Sequence, residues 1–402
     1  MLLKLAWRNI FRNKRRSLIT VSSIIFAVVF AVFMRSLQFG AYGNMLKNIV
    51  GSYMGYIQVH QKGFWAEKTL DNSLAIEDID HLNDNENVSY LSHRIEGFAL
   101  ASKGDLSKPV ALLGLDAELE KNQIKLDQKV IKGKYISDAN PGLLIGKGLQ
   151  EIMDLSLGDS LVFLSQGYQG SIASGSYPVV GVIDLKTPEL NKRTVIMNLE
   201  QAQEMFGLQG MITTAVVGID NDNWEETQLD VIAAVDTNAI EVMNWQQMLP
   251  ELKQLISVDK AGGMFVLLIL YSIITFSLFG TVLMLTEERS FEYGVLIAIG
   301  MAKTKVIFVA LLETILMAFV GIIAGLIVAF PFVLYFNINP INLSGQMQEV
   351  VERFGFEALI PTSLDPSIAI THAGIIFLIV LVVNIYTVVK IKNLEPVTAM
   401  RV

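Results

Sequence analysis

Residues Glu287 to Lys305 read EERSFEYGVLIAIGMAKTK, a charged start, an apolar middle and a basic end. Long apolar stretches flank the segment, Gly262 to Leu285 before it and Val306 to Phe336 after it. Each flank is long enough to cross a hydrocarbon layer roughly 30 Å thick, which takes about 20 apolar residues in a helix. The quoted segment is too short to cross again and too apolar for a free loop. Its pattern predicts a short helix at the membrane surface. Glu288, Arg289 and Glu292 fall within about 100° of a helical wheel. Phe291, Val295, Leu296, Ile297 and Ile299 supply apolar surface to most of the remainder, and Gly300 ends the helix. Arg289 and Glu292 are spaced to pair at i,i+3.

Two further stretches qualify as spans: Ser17 to Leu37 and Ile370 to Val389. Their apolar residues are continuous and do not alternate, which excludes a tilted barrel strand. The composition agrees: only 17% of the 402 residues are charged, against about 25% in soluble domains. The charge is also divided. Residues 40–260 hold 17 Lys and Arg against 30 Asp and Glu, whereas the rest of the chain is basic.

Lys and Arg near span ends set the orientation. Lys4, Arg8, Arg12, Lys14, Arg15 and Arg16 precede the first span, Arg289, Lys303 and Lys305 separate the second from the third, and Lys390, Lys392 and Arg401 follow the fourth. The loop between spans three and four has Arg353 against Glu349, Glu352, Glu357 and Asp365. Both termini are therefore expected in the cytoplasm. The expected division is a cytoplasmic amphipathic helix at 1–16, a first span at 17–39, an extracytoplasmic α+β domain at 40–261, a second span at 262–286, the quoted segment at 287–305, a third span at 306–336, an extracytoplasmic loop at 337–369, a fourth span at 370–389 and a cytoplasmic tail at 390–402. The first apolar run exceeds that of a signal peptide and lacks an A-x-A before a break, so it reads as an uncleaved anchor. In residues 2–16, Lys4, Arg8, Arg12 and Arg15 share one helical face while Leu3, Trp7, Ile10 and Phe11 lie elsewhere, a pattern suited to the interface.

The large domain mixes strand and helix signals. Strands are expected at 54–60, 157–164, 177–183, 193–199 and 211–219, and helices at 199–208, 224–235 and 244–263, the last interrupted or begun again at Pro250. The Gly/Ser-rich stretch 167–176 reads as an exposed hairpin loop. Catalytic chemistry is not in view. Cysteine is absent, the four histidines (His60, His81, His93 and His372) form no metal-spaced pair, and neither G-x-S-x-G nor G-x-x-x-x-G-K-[ST] occurs. The chain is thus expected to be no enzyme and to bind no cofactor itself.

Three features lie inside the spans. Glu313 sits about 10 Å into span three, and an intramembrane carboxylate faces protein or water. Two readings stand: a coupling or packing contact near the cytoplasmic side, or a side chain reaching back to Lys303 or Lys305. Gly321 and Gly325 form G-x-x-x-G, which lets helices approach closely. Arg35 lies near the outer end of span one and is placed to snorkel.

The segment ERSFEYGVLIAIGMAK resembles the E-R-x-x-E-[IY]-G-[IVL]-L-x-A-[IL]-G signature of FtsX-like permeases, the MacB-type ABC transporter subunits, with Glu288, Arg289, Glu292, Gly294, Leu296, Ala298 and Gly300 at matching positions. AWRNIFRNKRRSLIT, LGDSLVFL, PVVGVID, LLETILMAFVGIIAG and LEPVTAM with Arg401 resemble further family features in the same order, so the likeness covers essentially the whole chain. Where the family often has Tyr-Pro-Ala near the end of the last span, this chain has Tyr386-Thr387-Val388, which suggests a straighter final helix.

The resemblance implies a mechanotransmission (type VII) ABC permease in a bacterial inner membrane. Two permeases, copies or paralogues, would pair in the bilayer above a separate ABC ATPase dimer that holds ATP and Mg. The quoted segment would be the coupling helix, with Glu288, Arg289, Glu292, Gly294, Leu296 and Gly300 as its coupling residues and Glu313, Gly321 and Gly325 as packing residues in span three. The layout of four spans without a fused ATPase resembles the lipoprotein-releasing branch. There a lipoprotein, handed to a periplasmic carrier, would lodge its acyl chains between spans one and two, around Phe39, Met264, Phe265 and Leu268. The alternatives are a mechanical transmitter that controls a cell-wall hydrolase or answers a peptide, and a drug-efflux permease. No nucleic-acid partner is implied.

Overall fold

The computed structural model describes residues 8, 12, 14–137, 139–219, 223–346, 348, 351 and 357–395. Most of the expected amphipathic helix at 1–16, and the tail beyond Glu395 with its Arg401, lie outside them. Four described helices are long and apolar enough to cross a membrane: Ser17–Gly51, Pro250–Glu288, Lys303–Ile338 and Pro366–Lys392. All outrun the apolar stretches, because helical hydrogen bonding continues where apolarity stops.

The chain divides into two compact units. A helical unit comprises residues 1–43, 255–341 and 359–402, and an α/β unit comprises 44–254 and 342–358.

In the helical unit we label α1 (Lys14–Leu46), α2 (Pro250–Glu288), α3 (Ser290–Ala298), α4 (Lys303–Ile338), α5 (Pro366–Val383) and α6 (Ile385–Lys392). Its interior is an apolar cluster drawn from α1, α2, α4 and α5, including Ile24, Val28, Ile274, Leu278, Ala318, Ala329, Ile376 and Val380. Gly321 and Gly325 lie where α4 meets α1. A Cβ at Gly321 would stand 2.8 Å from the Ile24 Cβ, and one at Gly325 2.8 Å from the Val28 Cβ. Such small residues let helix backbones approach in lipid, where apolar burial alone does not drive association. Large apolar side chains such as Phe26, Phe276, Ile327 and Phe330 remain exposed on the unit's outer faces, as contact with lipid requires. Within the last span, Pro366–Lys392, the helix is interrupted at buried Asn384, whose Nδ2 donates to the Val380 carbonyl at 2.7 Å. A side chain that bonds back to the preceding turn interrupts a helix without proline.

The α/β unit is organised by a ten-stranded mixed sheet. Its strands are β1 (Ile57–Gln61), β2 (Tyr90–Lys103), β3 (Leu106–Leu115), β4 (Val130–Gly133), β5 (Leu143–Gly146), β6 (Ser160–Gln166), β7 (Ile172–Ile183), β8 (Thr194–Asn198), β9 (Thr214–Gly218) and β10 (Ile240–Asn244). The order runs β10-β1-β9-β2-β3-β8-β5-β7-β4, and β6 pairs with both β2 and β7. That last pairing closes β2, β3, β8, β5, β7 and β6 into a ring. The ring encloses a core that includes Ile95, Val110, Leu112, Ile145, Phe163, Val179 and Met197, with Phe206 packed in from the helix Leu199–Phe206. A second core around Ile57, Val59, Leu91, Val217 and Val231 lies along the β10-β1-β9 extension.

The stretch 167–176 is not one long loop. β7 begins at Ile172, and only a tight turn over Tyr168–Gly170 remains. The helix from 244 is begun again at Pro250, as expected: a short turn at Trp245–Met248, capped by Asn244, precedes the new helix. Buried Arg94 donates through Nε to Glu120 at 2.7 Å and through Nη1 to the carbonyl of Tyr53, which lies on the π-helical turn Lys47–Met54. Tyr53 itself is pushed up to about 12 by burial and by the charge of Glu96.

Candidate functional site

The segment between the second and third span-length helices folds as the short helix α3. Its C-terminus closes as a Schellman motif. Gly300 takes φ +100°, the Met301 amide donates to the Leu296 carbonyl at 3.0 Å, and the Gly300 amide donates to the Ile297 carbonyl at 3.0 Å. A residue with a Cβ would be strained at that φ, which is why the helix ends on glycine. Beneath α3 lies an apolar cluster of Tyr293, Val306, Ala310, Ile391 and Leu394, with Leu296, Ile297 and Met301 packed against it. Gly294 is buried as well. The cluster joins α3 to the start of α4 and the end of α6.

The charged residues are not arranged as the spacing suggests. Arg289 does not pair with Glu292, nor does Glu313 pair with Lys303 or Lys305. Arg289 turns inward and forms a buried ion pair with Glu313 of α4, both side chains 6% exposed. The carboxylate raises the Arg289 pKa against the opposing effect of burial. Arg289 is thus buried within the helical unit. Thr286 and Thr387, whose hydroxyls are 3.0 Å apart, line a cavity of about 20 Å³ beside the pair. Glu292 instead pairs with Arg12, whose Nη2 donates to both carboxylate oxygens at 2.5 Å. The exposed surface of this region includes Glu287, Glu288, Phe291, Glu292 and Ile299. From the sequence, Phe291 and Ile299 read only as apolar surface of the helix and not as contacts for a partner.

Farther along the helical unit, a groove of about 750 Å³ runs between α1, α2 and α5. Of the expected substrate contacts, Phe39, Met264 and Leu268 line it, while Phe265 does not and is exposed elsewhere. The third wall is unforeseen: Ser367, Thr371, His372, Ile375 and Ile379 of α5. The Tyr271 hydroxyl and His372 Nδ1 join α2 to α5 across it at 2.5 Å. Arg35 also lines the groove.

Four membrane-crossing helices, with an α/β domain inserted in the chain between the first two, define a multi-pass membrane protein. The MacB-like periplasmic core domain family matches residues 17–244, and the FtsX-like permease C-terminal family matches residues 264–396. The chain therefore belongs to the MacB/FtsX-type permeases of ABC transporters.

Its similarity to individual proteins is weaker. The lipoprotein-releasing system transmembrane protein LolC of Xylella fastidiosa, in two strains, is 22% identical over 241 residues. The match spans 58% of this chain and 58% of the length of those curated relatives. Among solved structures, the periplasmic region of MacB from Actinobacillus actinomycetemcomitans is 13% identical, with a TM-score of 0.37 over 53% of this chain and 95% of that one. The extracellular domain of the ABC-type transporter YknZ from Gram-positive bacteria is 17% identical, with a TM-score of 0.34 over 47% of this chain and 100% of that one.

Proposed function

We propose that this chain is the membrane subunit of an inner-membrane transporter whose ATP and Mg are held by a separate ABC ATPase dimer, and that α3 is the surface on which the ATPase bears. One observation carries this reading: α3 is fastened at its start by the buried Arg289–Glu313 pair and along its floor to α4 and α6. A force applied to α3 is therefore delivered to α4 and α6 together. Glu288, Phe291 and Ile299 offer the partner a mixed apolar and acidic contact. In this arrangement α3 and both termini are cytoplasmic, the α/β unit is periplasmic, and a second permease, copy or paralogue, completes the membrane part.

The work done is extraction of a lipoprotein or similar amphiphile from the outer leaflet for a periplasmic carrier. The groove of about 750 Å³ supports this over a purely mechanical transmitter, because it offers acyl chains an apolar path along Met264, Leu268 and Ile379. Two measurements test the reading. Phe291→Asp should abolish stimulation of the co-purified ATPase while membrane insertion is retained; full stimulation removes α3 from the role. A photocrosslinker at Met264 should capture acylated protein in active membranes, and capture of none removes the substrate assignment.

A further inference from the structure

Resting on the reading of the groove as an amphiphile site, we propose that an anionic glycerophospholipid occupies it when no acylated substrate does, with the phosphate on Arg35 and the acyl chains directed along α5 toward Ile379. Arg35 lies within the first membrane-crossing helix and lines the groove. Its Nη1 donates to Gln38 Oε1, and its guanidinium carbon stands 5.1 Å from the centre of the Phe39 ring. Both partners are neutral. Among the described residues, Arg35 forms no ion pair, and its Nε and Nη2 have no protein acceptor. The carboxylate of this network, Asp259, accepts from the Tyr42 hydroxyl at 2.5 Å and from Gln38 Nε2 at 3.0 Å, and reaches Arg35 only through the Gln38 amide. Asp365, beside the groove residue Ser367, is engaged in capping α5.

A cation within a membrane helix is costly and marks a ligand path unless something neutralises it. The free donors of a guanidinium form a planar fork that fits phosphate oxygens. The opposite wall is graded to match. Along one face of α5, Ser367 and Thr371 give way to Ile375 and Ile379 at four-residue spacing, beside Ile368 and His372, while α2 lines the groove with Met264, Leu267 and Leu268 before Ser272 and Thr275; the change on α5 takes about two turns. A diacylglyceryl thioether anchor carries no phosphate and would leave Arg35 without a counter-charge. A site with an unanswered charge favours the ligand that supplies one.

The test uses the purified full chain in a neutral maltoside detergent. The probes are phosphatidylglycerol with a photoactivatable acyl chain, diacylglycerol with the same chain, and a neutral diacylglyceryl-peptide. In the wild type, labelling of the α2 and α5 peptides by phosphatidylglycerol should exceed that by diacylglycerol by about tenfold or more, as one charge-assisted hydrogen bond provides. Arg35→Gln should remove that preference and Arg35→Lys should retain most of it. Equal labelling by the two lipids in the wild type overturns the proposal, as does a preference that survives Arg35→Gln. Preferential capture of the neutral acyl-peptide, indifferent to Arg35→Gln, also overturns it while leaving the lipoprotein reading in place. Cross-linking of the groove to a second copy of the chain, with no lipid captured, removes both.

Discussion

Replacing Glu313 by leucine leaves the Arg289 guanidinium buried without its counter-charge. Both side chains are 6% exposed, so water cannot take over. Removing one member of such a pair costs roughly 3–5 kcal/mol. The two single variants should not be equal. A guanidinium cannot shed its proton within a protein, whereas a carboxyl can take one up and become neutral. Glu313→Leu should therefore sit near the top of that range and Arg289→Met below it. The double variant Arg289→Met with Glu313→Leu should recover most of the loss, because an apolar pair of similar volume is often neutral relative to the ion pair it replaces. Equilibrium unfolding of the purified chain in mixed micelles, followed by the loss of helical circular dichroism, reads all four proteins. The cycle should give a coupling energy of at least about 2 kcal/mol. Additive single effects, or a Glu313→Leu protein as stable as the wild type, would refute the inference that the pair fastens α3.

Glu292→Lys places two cations together at Arg12. Because the native pair is half-exposed, stability should change by less than about 1 kcal/mol, while coupled ATPase activity in the reconstituted complex should fall; normal coupling removes Glu292 from the role. Gly321→Leu drives a side chain into Ile24 and should cost about 1–3 kcal/mol, whereas Gly262→Leu, with nothing within 4 Å of its Cβ, should cost nothing in the same unfolding assay. His60 is packed at a tilt against Phe64 and Trp65, and burial, with the charge of Lys68, pushes its pKa from 6.5 down to about 3. Between those values the unfolded chain binds a proton that the folded chain refuses, so stability falls as pH drops from 6.5 toward 3. His60→Gln should flatten that part of the stability profile, and an unchanged slope would place the acid sensitivity elsewhere.

The four spans were legible because lipid imposes a length and a composition that show directly in a run of residues. The short helix between spans two and three was legible for the same reason, and its glycine stop at Gly300 follows from local backbone geometry. The partners of its charges were not. Spacing along one helix favours Arg289 with Glu292, yet Glu313 lies on the facing helix, and only the alignment of α3 against α4 brings it to Arg289. Likewise the groove's third wall comes from residues about a hundred positions beyond Met264, which no local pattern joins to it. The hairpin at 167–176 was legible but its loop is shorter than expected: glycine and serine weaken the strand signal over 172–176, where pairing with β6 supplies the order that composition lacks.

The closed circuit of β2, β3, β8, β5, β7 and β6 has a practical consequence. Backbone groups around it are already satisfied, so a neighbouring polypeptide cannot dock there by adding a strand; the short edges of β4 and β10 are where such augmentation would begin. The tight bend at Gly104, with open space around it, joins β2 to β3 without taking part in the circuit. A reporter peptide spliced at that bend would leave the circuit intact, which makes it a rational place to attach a tag for following this protein in living cells.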